Sequence, residues 1–180
     1  MTLTIHSLAE VEPLLRQVRA AADRTAHEIR GLIDAEPNGI EVLRRMKFTE
    51  MAWQPLGEKR LNLVEQINQT WTYLVSLRAM PFLFARHPDV GGFRLNLGTA
   101  AGTDIESVAS DAVAAETFAA VNPSNNRKLA KDLLKLAREC PNARARYVFF
   151  ASPGYLHERQ HKLESIEGIE IWGIDVARSE

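Results

Sequence analysis

Two acidic side chains, Asp104 and Glu116, stand twelve residues apart in segments that read as consecutive strands of one hairpin. Carboxylates that meet on a sheet face repel each other, so one must hold its proton or a cation must neutralise the pair. Mg2+ or Mn2+, which take a few carboxylate oxygens with water and phosphate in the remaining positions, suit such a pair. Register decides whether the two acids meet. A three-residue loop of Ala109, Ser110 and Asp111 pairs Val108 with Ala112 and sets Asp104 opposite Glu116, with Cβ atoms roughly 5 Å apart. A two-residue loop instead puts Asp104 opposite Ala115 and sends the acids to opposite faces. The odd loop is favoured because Ile105, Ser107, Val113, Ala115 and Thr117 then form one packing face while Asp104, Glu106 and Glu116 share the other. Glu116 interrupts AVAAETFAAV, a run of small and β-branched residues expected to be buried on both faces. A carboxylate there must be protonated, hydrogen-bonded or aimed at a metal or cleft.

The elements that position this pair follow from caps, breakers and periodicity. Asn122-Pro123 predicts the start of a helix that runs to Cys140 and stops at Pro141. Its Leu129, Leu133, Leu136 and Ala137 face the core, whereas Lys128, Lys131 and Lys135 recur at i, i+3 and i+7 as a basic stripe. A solvated face is the plain meaning of such a stripe. The sharper one is that Arg127 and Lys128, in the first turn, bind a phosphate together with the helix N-terminus. Upstream, a helix from Leu61 to Met80 closes at Pro81; Val64, Ile67, Trp71, Leu74 and Val75 supply its apolar stripe. Asn62, Glu65, Gln69, Thr72 and Ser76 form a polar stripe with a single charge, which predicts a face enclosed in hydrogen bonds or turned toward a cleft.

The 180 residues are 46% hydrophobic, enough for one substantial core, so a single domain over 1–180 is expected, with N-terminal helices over 1–58 and an α/β core over 59–180. Lys and Arg number 22 against 23 Asp and Glu, so a nucleic-acid partner requires local clustering of basic residues. Cys140 is the one cysteine, which excludes an intramolecular disulfide and a thiolate metal cluster. That usage, the lack of a signal-peptide layout in MTLTIHSLAEVEPLL and the absence of an apolar run near 18 residues predict a cytoplasmic protein with no membrane partner.

The first 85 or so residues read as helical. Ser7-Leu-Ala-Glu10 has capping-box spacing, with the main helix expected from about Pro13. Leu15, Val18, Ala22, Thr25, Ile29 and Leu32 then recur in steps of three and four, a stripe that packs onto the core or forms a homodimer seam. Pro37-Asn-Gly39 marks a turn before a short helix over 40–46. FRLNLG, DIESVA, AVAAETFAAV, RARYVFFAS and IEIWGIDV read as five strands, with a loop over Gly98 to Gly102 and a short helix between the last two strands. The predicted class is α/β: a helical N-terminal part, then a mixed sheet flanked by helices.

The order helix, three strands, helix, strand, with one acid on the second strand and another on the third, resembles the PD-(D/E)XK nuclease superfamily over about residues 60–150. The resemblance implies a restriction-endonuclease-like αβββαβ core and Mg2+- or Mn2+-dependent hydrolysis of DNA. Asp104 matches the family's aspartate, Glu116 the glutamate of its Glu-x-Lys, and Glu65 the assisting acid on the preceding helix. Phe118 stands where that lysine belongs and Thr103 where the motif has proline. Some members carry the lysine on the following helix, which here offers Lys128 or Lys131. The implied site is therefore Asp104, Glu116 and Glu65 on the metal, Lys128 beside the reacting phosphate, and Arg127, Lys128, Lys131, Lys135, Asn62 and Gln69 along the bound strand.

Two other readings remain open at this level. One is a catalytically inactive nuclease-fold protein that binds nucleic acid or acts as a scaffolding dimer through its N-terminal helix. The other is a zinc hydrolase built on His157-Glu158-Arg159-Gln160-His161, a His-Glu-x-x-His string with Glu164 as third ligand.

Overall fold

The computed structural model describes residues 2–98 and 101–176, so Thr99 and Ala100 of the expected Gly98 to Gly102 loop lie outside the described residues. Its elements, in chain order, are β1 (Thr2–Ile5), α1 (Val11–Ala35), α2 (Gly39–Phe48), β2 (Ala52–Trp53), β3 (Arg60–Leu61) and α3 (Leu63–Arg86). Then come β4 (Phe93–Asn96), β5 (Ile105–Ser107), β6 (Val113–Ala119), α4 (Lys128–Glu139), β7 (Ala145–Ala151) and β8 (Ile169–Gly173). The chain divides into two compact units, Glu12–Tyr73 and Met1–Val11 with Leu74–Glu180.

In the larger unit the strands form one sheet in the order β1-β4-β5-β6-β7-β8. The pairs from β1 through β6 are antiparallel, and β6-β7 and β7-β8 are parallel. The β6-α4-β7 crossover is what parallel pairing demands, since two parallel strands cannot be joined by a tight turn. One face of the sheet packs against α4: Ala114, Phe118, Val148, Phe150, Ile169 and Ile171 meet Leu129, Leu133 and Leu136. The other face meets the second half of α3, where Phe82 contacts the rings of Tyr147, Phe149 and Trp172 and Phe84 stands edge-on to Phe93. All five expected strands are present. β6 is buried over Val113–Phe118, as a strand covered by helices on both faces must be.

Several elements differ from expectation for identifiable reasons. β1 was not foreseen in a stretch read as helical; Thr2–Ile5 is too short to show a pattern, and its partner β4 supplies the ladder. α3 does not close at Pro81 but runs to Arg86. The ring contacts of Phe82 and Phe84 with the sheet hold the last turns helical despite the hydrogen bond that proline removes. α4 begins at Lys128, not at Asn122, because Asn126 and Arg127 are both left-handed, with φ 54° and 56°. Asn122 instead folds its own Oδ1 onto the Ser124 N–H and hydroxyl as a side-chain turn. The segment His157–His161 is not helical: Arg159 forms a bridge with Trp172, and only His161–Leu163 makes a short 3-10 turn. Without a helix the i, i+4 spacing does not put the two histidines on one face, and among the described residues no three potential metal ligands converge.

In the unit Glu12–Tyr73, Leu15, Val18, Thr25 and Leu32 of the heptad-like stripe are buried within the chain, and the Thr25 hydroxyl accepts the Trp53 N–H at 3.1 Å. Arg24 and Arg60 stack on the Trp53 ring. Asn38 caps α2 through the N–H groups of Ile40 and Glu41, as the Pro-Asn-Gly turn predicts. Along α3 the expected apolar stripe divides: Val75 is buried, whereas Val64, Ile67 and Trp71 are between 44% and 49% exposed. Of the polar stripe only Ser76 is buried. Among the described residues no helix is long and apolar enough to cross a membrane.

Two consequences are measurable. Leu136→Ala, at a fully buried position on the core face of α4, is expected to lower unfolding free energy by about 2–5 kcal/mol in urea titrations at unchanged m-value. His87 is buried with Nε2 2.8 Å from the Tyr147 hydroxyl, and burial, reinforced by Arg144 and Arg86, pushes its pKa down from 6.5. The unfolded state then takes up a proton that the native state resists, so stability contributed by neutral His87 falls as pH drops below about 6.5. Tm recorded from pH 8 to pH 5 should show this loss, and His87→Gln should flatten it.

Candidate functional site

The β5-β6 hairpin has the register that aligns the acids. Ile105 pairs with Ala115 and Glu106 with Ala114, and one further step of the same register sets Asp104 opposite Glu116. The connection is built for this: Asp111 is left-handed at φ 56°, and the Ser107 hydroxyl receives the Val113 N–H at 2.9 Å. The expected packing face of Ile105, Ser107, Val113, Ala115 and Thr117 is buried throughout.

Asp104 lies one residue before β5, and its carboxylate takes over the bond that a longer strand would have made. Oδ2 accepts the Thr117 N–H at 2.7 Å and the Thr117 hydroxyl at 3.2 Å. Because a carboxylate only accepts, that hydroxyl receives its other bond from Ser76 of α3, 2.9 Å away. Thr117 and Ser76 thus fix Oδ2.

Glu116 is 2% exposed, and Lys135 of α4 brings its Nζ to 2.7 Å from Oε1. The same ammonium donates to the Gly102 carbonyl at 2.8 Å. Gly102 has φ 97°, and a Cβ there would collide with Glu106 Oε1 and the Asn96 amide, so only glycine presents its carbonyl in this way. The Lys135 contact is ionic more than directional, since Glu116 Oε1 makes no hydrogen bond of good geometry. Burial, then the Asp104 carboxylate, push the Glu116 pKa up to about 7 against the pull of Lys135. Burial works against the Lys135 ammonium, and Glu116 overrides it to hold the lysine pKa above its ordinary value.

One further acid, not among the expected site residues, joins the cluster. Asp132 is 3% exposed on the core-facing stripe of α4, with Oδ1 2.6 Å from the Lys128 ammonium and Oδ2 buried without a partner. Burial raises its pKa against Lys128, and the Asp104 charge adds to the rise. The signal was available: Leu129, Asp132, Leu133 and Leu136 share one helical face, and an acid inside such a stripe needs a reason.

The expected residues are therefore sorted by the fold. Asp104, Glu116 and Lys135 converge. Lys128 serves Asp132 and not Glu116, while Lys131 and Arg127 are exposed. The basic stripe is not uniformly solvated, because two of its three lysines turn onto buried acids. Phe118, at the position of the family's lysine, is buried and stacked on Phe150. Glu65, Asn62 and Gln69 belong to the other unit; Asn62 caps α3 by accepting the Glu65 N–H at 2.9 Å, and Gln69 accepts the Tyr73 hydroxyl at 3.2 Å. Among the described residues no three His, Cys, Asp or Glu side chains converge as a metal-holding group. What the site offers is two carboxylates and a carbonyl, the partial oxygen set that Mg2+ completes with water or phosphate.

A groove of about 950 Å³ lies away from these acids, at the start of β7 and β8. Its arginines are engaged: Arg86 and Arg159 on Glu170, Arg159 on Glu164, Arg144 on Asp89, and Arg146 on the Glu167 carbonyl. Glu116 with its lysine is thus the better candidate for chemistry.

No family model matches the chain, and neither a curated protein nor a solved structure is significantly similar to it.

The raised Glu116 pKa has a definite sign. Between about pH 4.5 and 7 the native state binds a proton that the unfolded state has released, so the Glu116 contribution to stability declines as pH rises and levels off above 7. The slope is at most about 1.4 kcal/mol per pH unit. Glu116→Gln should remove this slope in denaturant titrations across pH 4.5–8.

Proposed function

We propose that the chain is a metal-dependent nuclease that hydrolyses phosphodiester bonds of DNA, with Asp104, Glu116 and Lys135 at its reacting centre. The observation that carries this reading is the Lys135 ammonium 2.7 Å from the buried Glu116 carboxylate, with the Asp104 charge acting on both, within an element order of α3, three antiparallel strands, α4 and a parallel strand. That order is the one the restriction-endonuclease-like resemblance implies. Lys135 takes the part expected of Lys128, coming from the following helix because Phe118 fills the strand position.

Asp104 and Glu116 are the residues that would hold the divalent ion, with Thr117 keeping the Asp104 carboxylate fixed. A Mg2+ or Mn2+ ion, when bound, supplies an acidified water and neutralises charge on the phosphate. Lys135 adds positive charge beside the reacting phosphate, where it stabilises charge that grows toward the transition state. Lys131 and Arg127, exposed along α4 and its entry, contact flanking phosphates and make binding salt-dependent. Asp132 holds the Lys128 ammonium at the rim of the same cluster.

Incubation of the purified protein with single- and double-stranded DNA and Mg2+ or Mn2+ tests the proposal. The expected result is cleavage that EDTA abolishes and that Glu116→Gln reduces by about 100-fold or more. DNA left intact with both metals, or cleavage unchanged in Glu116→Gln, rejects it.

A further inference from the structure

Lys135 does more at this site than a neighbouring positive charge would. Its ammonium is held by two oxygens from different segments, Glu116 Oε1 at 2.7 Å and the Gly102 carbonyl at 2.8 Å. Both belong to the oxygen set that the preceding reading assigns to a divalent ion. Glu116 Oε1 is buried and lacks a directional hydrogen bond, so the charge beside it, not the geometry of a donor, compensates it.

The charges around that point do not balance. Asp104, Glu116 and Asp132 influence one another electrostatically, and Lys128 and Lys135 are the ammonium groups set against them. With all three ionised, the carboxylates exceed the two ammonium groups by one charge in a largely buried cluster. Asp132 Oδ2 makes that excess costly, since it is buried with no partner. A divalent ion at the contact position carries one positive charge more than the ammonium it replaces there, which offsets that excess.

From this we infer that Lys135 is a tethered stand-in for the metal: its ammonium fills the divalent-cation position between Glu116 and Gly102, and the ion enters by displacing it. The inference rests on the proposed metal site and adds how that site is regulated. The Lys135 side chain is 32% exposed, so its four-carbon stem has solvent into which the ammonium can withdraw. Exchange also fits the distances, because an ammonium stands 2.7–2.8 Å from its oxygens, where Mg2+ draws them to about 2.0–2.1 Å. The two cations compete for one set of donors and cannot share it. In the metal-bound form the displaced ammonium remains on α4 beside the site, available to a phosphate.

Calorimetric titration of the full chain with Mn2+ at pH 7.5, with the Mn2+-induced rise in Tm as second readout, tests this. Lys135→Met and Lys135→Gln are expected to bind Mn2+ at least about tenfold more tightly than the unaltered chain, as removal of a competing charge at contact distance requires. Lys131→Met, which removes the same charge from an exposed position on the same helix, should change affinity by less than about threefold. Glu116→Gln should lose the binding. Lys135→Gln retains a donor for Gly102, so it reports on exchange if Lys135→Met fails to fold. Equal or weaker Mn2+ affinity in the Lys135 variants, with binding still dependent on Glu116, overturns the exchange and leaves the metal site standing. Absence of Mn2+ binding in every folded variant overturns both.

Discussion

A carboxylate in the middle of a sheet strand buried on both faces is the constraint around which this site is arranged. Glu116 loses hydration when α4 closes over β6, and the loss is tolerable only with a proton or a cation at hand. Lys135 supplies the cation by reaching down from the covering helix. Glu116 therefore constrains the helix above it, since α4 must present a lysine at the turn that crosses the acid. The same logic repeats one layer along, where Lys128 answers Asp132.

The supporting geometry comes from short-range devices. A left-handed Asp111 and the Ser107 hydroxyl set the hairpin register, and register alone decides that Asp104 stands opposite Glu116. Ser76 and Thr117 then orient the Asp104 carboxylate from the opposite side of the sheet. Gly102 folds back so that its carbonyl meets the same lysine. The arginines of the groove at the start of β7 and β8 are engaged by Asp89, Glu164, Glu170 and the Glu167 carbonyl, whereas Glu116 and Asp132 are buried acids that each face a lysine.

Much of the sheet was legible because its strands carry period-two burial. The alternation of Ile105, Ser107, Val113, Ala115 and Thr117 was sufficient to choose the hairpin register. The helices were less legible. Proline reads as a stop, yet aromatic packing of Phe82 and Phe84 carries α3 past Pro81. The Asn-Pro pair reads as a cap, yet left-handed Asn126 and Arg127 delay α4 to Lys128. His157 and His161 match a zinc string, but the segment lacks the helix that string needs; His161 meets Glu164 at 3.5 Å, and among the described residues no three ligands converge. Asp132 was overlooked although its place among Leu129, Leu133 and Leu136 marked it as an acid inside a packing stripe.

By itself the sequence determined the mixed α/β class, five strands of the main sheet, and the hairpin register that carries Asp104 and Glu116, because each depends on local alternation and turn chemistry. Which lysine serves Glu116 was decided only by tertiary structure. Lys128, Lys131 and Lys135 are equivalent as letters at helical spacing; the register of α4 over β6 separates them, giving Lys128 to Asp132, leaving Lys131 in solvent and placing Lys135 on Glu116. That choice rests on contacts between segments far apart in the chain, and on the electrostatic cost of burying an acid that no local pattern records.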